Sequence, residues 1–343
     1  MAIWFDESRL DDESALATAD GRLRELAESG ARVRREAAES AAGVATAVAT
    51  ARDAARPRAI VAAGPDSRLL RAVLEPWCPV PFVAWPGPAL PGWAGGLDLV
   101  VVLAPDGSDR ATAGAVAEAV RRGCQVVVAS PEGSLVAQHA AGRWSTIVPT
   151  VTRAQLATAV VVVEYLDQVG LGPRADHADV AEALDHVAMA CSPHRDLAVN
   201  PGKMLAIALA DTGPIVWGGS SLAARAARRV SETIRRASGQ SAIAGDAEHL
   251  MPLIEAARPR DVFDDPFAEG GGEVRPVLLV FDDGADDPVV REDRGRLQAA
   301  AAAHGVRVET VTADGDTEIA RYASLVLNGR YGAEYLRLGL VDD

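Results

Sequence analysis

The strongest constraint on the fold is a unit that the chain repeats: a short apolar run, a glycine turn and a helical pattern. The unit occurs in "RAIVAAGPDSRLLRAVLE" (58–75) and in "LDLVVVLAPDGSDRATAGAVAEAVRRG" (97–123), and a further apolar run, "CQVVVAS" (124–130), follows directly. Continuous Val and Ile runs that do not alternate with polar residues are typical of parallel strands covered by helices on both faces. We therefore predict an α/β fold with a doubly wound parallel sheet.

The second half of the chain repeats this pattern. The stretch "GPIVWGGSSLAARAARRVSETIRRA" (213–237) is again a strand, a glycine turn and a helix, and "VRPVLLVFDD" (274–283) opens a strand–helix–strand unit. Two similar three-layer αβα sandwiches are the simplest account, and 343 residues of 49% hydrophobic composition suffice for two cores. The predicted domains are an N-terminal helical segment (1–54), a first sheet domain (55–172), a helical connector (173–212) and a second sheet domain (213–343).

Helices and loops outside these units follow from composition. Residues 8–54 predict one or two amphipathic helices, and "PTVTRAQLATAVVVVEYLDQVGL" (149–171) predicts a long buried helix that begins before Arg153. The Pro- and Gly-rich stretch 85–96 predicts a connecting loop. The segment 317–340 predicts a C-terminal helix that is broken near Gly329.

Charge and composition exclude several classes of partner. A net charge of −14 disfavours nucleic acid, because phosphate contacts require a local excess of Arg or Lys. No apolar stretch reaches the length of a membrane span and the N-terminus lacks a signal-peptide pattern, so we expect a cytoplasmic protein without a membrane partner. The three cysteines are far apart and predict neither disulfides nor a zinc site, and Lys203 is the only lysine.

Candidate ligand-binding loops follow from the strand–turn–helix units. Ligands of parallel sheets bind at the carboxyl ends of the strands, where helix N-termini present N–H groups to anions. The loops 64–67, 106–109, 130–134 and 218–221 occupy this position, and "WGGSS" combines two glycines and two hydroxyls without a carboxylate. The alternative is that the glycines only permit tight turns and the serines only cap helices. No GxGxxG or GxxxxGK[ST] motif is present, so neither NAD nor ATP is predicted and we expect no cofactor.

The order of these features resembles a known family. The stretches "RGCQVVVASPEGSLVAQHA", "PTVTRAQLATAV", "GPIVWGGSSLAARAARR" and "ASLVLNGRYGAEYL" look like the bacterial and archaeal bifunctional phosphoglucose/phosphomannose isomerases, which contain two sugar-isomerase (SIS) domains. The resemblance begins at about residue 55 and rests on the order of these features along the chain and on the pattern of apolar residues. It implies a small-molecule ligand, a sugar phosphate or derivative, and a homodimer.

The resemblance also implies site residues. The family isomerises glucose 6-phosphate or mannose 6-phosphate to fructose 6-phosphate through an enediol. By this resemblance His249 would assist ring opening, Arg153 would stabilise the oxyanion and Glu232 would be the nearest base. The implied substrate-binding residues are Gly64, Ser67, Asp106, Gly107, Ser108, Asp109, Ser134, Gly218, Gly219, Ser220 and Ser221.

Several positions depart from the family, and they leave enzymatic activity open. Asp106 and Asp109 stand where the family has hydroxyl residues, Arg236 aligns with the catalytic glutamate, and the chain has no lysine near its end. Three changes would explain the acidic residues of the loop 106–109: it no longer binds phosphate, it binds a different ligand, or it binds a cation. Three functions compete: a sugar-phosphate-binding protein with weak or absent isomerase activity, a catalytically inactive sensor or regulatory partner in sugar metabolism, and an unrelated doubly wound binding protein.

Overall fold

The computed structural model describes residues 3–52, 54–257 and 274–342. The chain divides into two compact units, each with one parallel sheet. We call residues 29–182 and 315–320 the first sheet unit, and residues 1–28, 183–314 and 321–343 the second sheet unit. Among the helices of the described ranges, none combines the length and the apolar character that crossing a membrane requires.

The described residues form eleven strands, numbered in chain order. They are β1 (Ile3–Phe5), β2 (Ile60–Ala63), β3 (Phe82–Trp85), β4 (Leu99–Leu103), β5 (Gln125–Ser130), β6 (Ser145–Pro149), β7 (Thr212–Gly218), β8 (Ile243–Gly245), β9 (Arg275–Asp282), β10 (Arg307–Thr312) and β11 (Leu340–Asp342).

The same residues form twelve α-helices, and two short 3-10 helices lie at Glu7–Leu10 and Leu197–Val199. The α-helices are α1 (Glu13–Ala27), α2 (Ser29–Arg52), α3 (Ser67–Leu74), α4 (Arg110–Arg121), α5 (Leu135–His139), α6 (Gln155–Gln168), α7 (His177–Ala190), α8 (Pro201–Leu209), α9 (Ser221–Ser238), α10 (Ala247–Glu255), α11 (Pro288–Ala303) and α12 (Glu318–Gly339).

The first sheet unit contains a five-stranded parallel sheet of order β3-β2-β4-β5-β6. Strands β2 and β4 are buried along their whole length, which explains their uninterrupted apolar sequences. From β2 the chain crosses to β3 on one side, and from β4 it crosses to β5 on the other. The strand order therefore reverses between β2 and β4, and a crevice for a ligand opens at such a reversal.

The second sheet unit contains a four-stranded parallel sheet of order β10-β9-β7-β8. Its strand order reverses between β7 and β9, where Gly218 pairs with Phe281. A buried apolar cluster that includes Trp217, Leu278 and Leu297 lies beside this sheet. Both sheets are flanked by helices, so the predicted α/β fold with two doubly wound parallel sheets is confirmed.

Two local predictions were wrong, and a third differs from the structure by one residue. The helix predicted over 149–171 begins only at Gln155, because the chain first completes strand β6 and then passes through Arg153 in a left-handed conformation (φ 53°). The predicted loop 85–96 differs by one residue: Trp85 belongs to the edge strand β3, and residues 86–96 form the connection. Helix α12 runs unbroken through Gly329, where a Cβ atom would lie 2.4 Å from the Val230 side chain. The glycine serves close packing there.

The second sheet unit joins distant parts of the sequence. Strand β1 pairs antiparallel with β11, and the side chain of Arg22 on α1 forms an ion pair with Glu334 on α12. Helix α12 is buried along most of its length. A buried C-terminal helix therefore gives no reason, by itself, to expect a partner subunit.

Candidate functional site

The carboxyl edge of the first sheet brings three of the predicted loop residues together. Gly107 has a left-handed conformation (φ 65°), and a Cβ atom there would lie 2.4 Å from the Cβ of Ser134 and 2.8 Å from the Oγ of Ser130. The hydroxyls of Ser130 and Ser134 are 2.7 Å apart. Glycine is required at position 107 both for the backbone conformation and for this close approach.

Asp109, two residues after Gly107 in the loop 106–109, is the N-cap of α4. Its carboxylate accepts a hydrogen bond of 2.7 Å from the backbone N–H of Thr112 and another from the Thr112 hydroxyl. These bonds, led by the hydroxyl, hold the pKa of Asp109 below its usual value. The carboxylate of Asp109 thus occupies backbone N–H groups that a bound anion would need. The side chains of Asp106 and Ser108, in the same loop, are exposed.

Ser67 opens α3 immediately after the left-handed turn at Gly64 (φ 89°). Its side chain is almost completely buried, and its hydroxyl has no hydrogen-bond partner. The adjacent Asp66 accepts a hydrogen bond of 2.6 Å from Gln155 at the start of α6. An unpaired buried hydroxyl is unusual and costs about 1–3 kcal/mol, so Ser67 keeps a hydrogen-bond donor that no described residue uses.

Arg153 lies on an exposed loop whose shape depends on a residue that the sequence analysis did not single out. The buried carboxylate of Glu36 accepts hydrogen bonds from the backbone N–H groups of Val151 (2.7 Å) and Thr152 (2.9 Å) and from the Thr152 hydroxyl. A signal for Glu36 was available, because it lies on the otherwise apolar face of α2 four residues before buried Ser40.

The 218–221 loop of the second sheet unit differs from its prediction. Ser220 is the N-cap of α9 and accepts a hydrogen bond of 3.0 Å from the N–H of Ala223. Its hydroxyl donates to the carboxylate of Asp283, which follows β9. The prediction that no carboxylate stands beside this loop was therefore wrong. The register that pairs Gly218 with Phe281 brings Asp283 there, and sequence alone did not reveal that β9 neighbours β7.

The predicted base and histidine lie apart from this loop or point to solvent. Glu232 forms an ion pair of 3.4 Å with Arg229 and lies eleven residues beyond Ser221, about 17 Å along α9. His249 follows β8 on the first turn of α10, and its side chain is 80% exposed. The hydrogen bond from His249 holds the pKa of Asp246 below its usual value.

Lys203 is fully occupied by structural contacts. Its buried Nζ donates to the carboxylate of Asp11 (2.5 Å) and to the backbone carbonyls of Pro193 (2.9 Å) and Arg195 (2.9 Å). These three acceptors, all in the second sheet unit, satisfy the ammonium group. The lysine therefore ties the first turns of the chain to α8.

One group of side chains in the described part of the chain has spacing compatible with a metal ion. Ligand atoms of Glu164, Asp176 and His177 lie within 4.8 Å of one another. Glu164 accepts hydrogen bonds from the backbone N–H (2.8 Å) and the Nδ1 (2.7 Å) of His177, and Asp176 accepts from the N–H of Ala178 (2.9 Å). These contacts fix the start of α7, so local structure already accounts for the group.

The chain is similar to phosphosugar isomerases. Residues 198–339 match the sequence model of the bacterial phospho-glucose isomerase C-terminal SIS domain. No protein of curated function matches the sequence. Among solved structures, tagatose-6-phosphate ketose/aldose isomerase from Escherichia coli has a TM-score of 0.67 at 12% identity and covers 92% of this chain and 93% of its own.

Two further structures show the same likeness. The C-terminal domain of glucosamine-fructose-6-phosphate aminotransferase from Francisella tularensis has a TM-score of 0.65 at 12% identity, with 94% of this chain and 97% of that chain covered. A glucose-6-phosphate isomerase like protein from Thermus thermophilus has a TM-score of 0.51 at 16% identity, with 83% and 82% covered. The resemblance predicted from the sequence is confirmed: the chain is similar to SIS phosphosugar isomerases, by sequence over residues 198–339 and by fold over most of its length.

Proposed function

We propose that the chain binds a phosphorylated sugar or a related carbohydrate derivative at the carboxyl edge of the first sheet, without appreciable isomerase turnover. The observation that carries this proposal is the convergence of Gly107 with the hydroxyls of Ser130 and Ser134 beside the strand-order reversal. Small hydroxyl donors around a glycine turn suit a phosphate or a sugar hydroxyl, because they approach the ligand closely and carry no charge.

The hydrogen-bonding capacity of these hydroxyls supports ligand binding. In the Ser130–Ser134 pair one hydroxyl donates to the other, so the accepting hydroxyl keeps its own proton for a ligand. The buried hydroxyl of Ser67 adds a second donor at the start of α3.

The proposed lack of turnover rests on the groups that would move protons. Arg236 stands where the resemblance implies the catalytic glutamate, and its guanidinium cannot act as a base at neutral pH. Glu232 is paired with Arg229, and exposed His249 is paired with Asp246. The contact between Ser220 and Asp283 occupies the predicted binding loop 218–221 of the second sheet unit. We therefore favour the role of a sensor or regulatory partner for this protein over that of an isomerase.

Calorimetric titration with glucose 6-phosphate, mannose 6-phosphate and fructose 6-phosphate tests the binding. We expect saturable binding of at least one of them and none of free glucose. Ser134→Ala and Ser67→Ala should each weaken it by about fivefold or more, as expected for loss of one ligand hydrogen bond. Thr50→Ala removes an exposed hydroxyl of α2 that lies near Gln125, at the opposite, amino end of the strands; it is the matched control and should bind like the wild type.

A coupled assay for fructose 6-phosphate formation tests the second half of the proposal. We expect no turnover above background with either aldose phosphate. Sustained turnover would show that a base other than the family glutamate is in place. If none of the three ligands binds, or if Thr50→Ala weakens binding as much as Ser134→Ala, the proposed binding edge is wrong.

A further inference from the structure

The loop that joins β6 to α6 is fixed at both ends to groups of the proposed binding edge. At its start the backbone N–H of Thr150 donates to the carbonyl of Ser130 (3.2 Å). Just beyond its end the side-chain amide of Gln155 donates to the carboxylate of Asp66 (2.6 Å), the residue before Ser67. The loop therefore connects the two places, after β5 and after β2, where the proposed binding hydroxyls lie.

Arg153 stands within this loop, residues 150–154, which we call the Arg153 loop, and its side chain is exposed. Within the ranges that the structure describes, its guanidinium has no hydrogen-bond or ion-pair partner. Its backbone has a left-handed conformation (φ 53°), which is unfavourable for a residue with a Cβ atom and persists only where neighbouring contacts impose it. Those contacts do not involve the guanidinium, which stays available to a ligand.

The buried carboxylate of Glu36 supplies the contacts that shape the loop. One oxygen accepts from the N–H of Val151 (2.7 Å), and the other accepts from the N–H (2.9 Å) and the hydroxyl of Thr152. That hydroxyl in turn accepts from the N–H of Ala154 (3.3 Å). The residues on both sides of Arg153 are thus fixed through one carboxylate. Without it these donors lose their acceptor, and nothing in this set of contacts opposes relaxation of the backbone at Arg153.

Helix α2 supports the Glu36 carboxylate closely against the sheet. Ser40, one turn beyond Glu36, donates its hydroxyl to the carbonyl of Pro149 (2.6 Å). A Cβ atom at Gly43 would lie 2.5 Å from the Cδ of Pro149. Positions 36, 40 and 43 share one face of the helix, and this face lies against the end of β6 immediately before the Arg153 loop. The fold therefore sets the position of the carboxylate relative to the binding edge.

We propose that Glu36 is a positioning residue, which acts through the Arg153 loop to hold the Arg153 guanidinium where it contacts an anionic group of the ligand. The inference rests on the proposed function, because it requires a phosphorylated ligand at this edge. A guanidinium presents charged donors in a planar arrangement that suits a phosphate, whereas the hydroxyls beside Gly107 carry no charge. The hydroxyls orient the ligand, Arg153 attracts its charge, and Glu36 determines where that attraction acts.

A double-mutant cycle in titration calorimetry tests this role, with whichever of glucose, mannose and fructose 6-phosphate binds most tightly. Arg153→Met should raise Kd by about tenfold or more, as expected for loss of a charge-assisted hydrogen bond, and Glu36→Ala by about fivefold or more. In the Arg153→Met background, Glu36→Ala should change Kd by less than about twofold, because its effect on the guanidinium is gone. Ser40→Ala removes another buried hydrogen bond from the same helix face and is the matched control, with wild-type Kd.

The salt dependence of binding separates positioning from a purely structural role. Salt screens the attraction between an exposed guanidinium and a phosphate, so Kd of the wild type and of Ser40→Ala should rise between about 20 and 200 mM salt. Glu36→Ala and Arg153→Met should both show a weaker rise. Glu36→Gln keeps one acceptor oxygen and should restore part of the affinity that Glu36→Ala loses. If Glu36→Ala does not fold, Thr152→Val, which removes only the hydroxyl that Glu36 accepts from, replaces it in the cycle.

The outcomes distinguish this inference from the proposed function. A wild type that binds none of the three sugar phosphates overturns both. A wild type that binds, while Arg153→Met binds equally well, overturns the inference alone. So does an effect of Glu36→Ala that is equally large with and without Arg153, or an effect of Ser40→Ala as large as that of Glu36→Ala; in these cases Glu36 only stabilises the fold.

Discussion

Ser220 donates its hydroxyl proton to Asp283, and this contact joins the loops after β7 and β9 at the reversal of strand order in the second sheet. The same hydroxyl caps α9, so the helix N-terminus faces a carboxylate rather than open solvent. An anion at this helix would have to displace Asp283, which is 8% exposed.

Replacement of Asp283 should open this loop to anions. Asp283→Ala removes the negative charge and frees the Ser220 hydroxyl, and one charge-assisted hydrogen bond corresponds to about 1.5–3 kcal/mol, or roughly tenfold or more in phosphate affinity. Calorimetric titration with inorganic phosphate measures the gain. Asp286→Ala removes the same charge from an exposed position of the same loop and should gain little. Equal gains would mean that net charge, not the contact, controls the site.

Asp109 should contribute stability at neutral pH through its cap. Because its pKa is lowered in the folded state, this contribution is complete above the ordinary carboxyl pKa near 3.8 and is lost as the pH falls through the folded pKa. Asp109→Ala should cost about 1 kcal/mol at neutral pH. Asp109→Asn keeps a capping oxygen without titrating, so its stability relative to wild type should improve in urea titrations as the pH falls below 3.8. If the difference in the free energy of unfolding between wild type and Asp109→Asn does not change with pH, the Asp109 cap is not a titrating contact.

Two helical glycines should respond oppositely to alanine. At Gly329 on α12 the new Cβ would lie 2.4 Å from the Val230 side chain, and overpacking of this kind costs about 1–3 kcal/mol. At Gly295 on α11 nothing lies within 4 Å of the new Cβ, so the higher helix propensity of alanine should stabilise the protein by about 0.5–1 kcal/mol. Thermal melts of both variants provide the test. A stable Gly329→Ala protein would show that α12 and α9 shift easily.

The buried lysine should resist chemistry that modifies amines. In the folded protein Lys203 should remain unlabelled by an amine-reactive reagent, whereas urea should expose it, and mass spectrometry of its peptide separates the two. Lys203→Met should destabilise the protein by about 2–3 kcal/mol, because it leaves two carbonyls and the half-exposed Asp11 without their donor. Arg22→Met, which removes a partly exposed ion pair, should cost less than about 1 kcal/mol.

The strands predicted correctly from the sequence are those whose apolar pattern is local to the strand itself. The runs that became β2 and β4, and the run 214–217 within β7, are continuously apolar and each precedes a glycine turn and a helix, so strand, turn and helix follow from local composition. Strands β3 and β6 are short and only partly buried, and prolines lie at or beside their ends. Partly buried strands of this kind lack the apolar signal, and only hydrogen bonding to a neighbour identifies them.

In the candidate site, too, residues with a local sequence signal were predicted and residues that depend on distant segments were not. The turn at Gly107 follows from a glycine between a strand and a helix, and the structure places Ser130 and Ser134 against it. Asp283 and Glu36 were not predicted, because their importance depends on which distant segment lies beside them: Ser220 in one case and the loop before Arg153 in the other. A contact across 63 or 115 positions leaves no local pattern in a single sequence.

The ion pair between α1 and α12 has a consequence for the order of assembly. Arg22 and Glu334 are separated by 312 positions, so this contact cannot form until the chain between them has been synthesised. At translation rates of about 5–20 residues per second the interval is roughly 15–60 s. The strands of both parallel sheets, β2 to β10, lie within that interval, so all of them are synthesised before α1 can meet this partner.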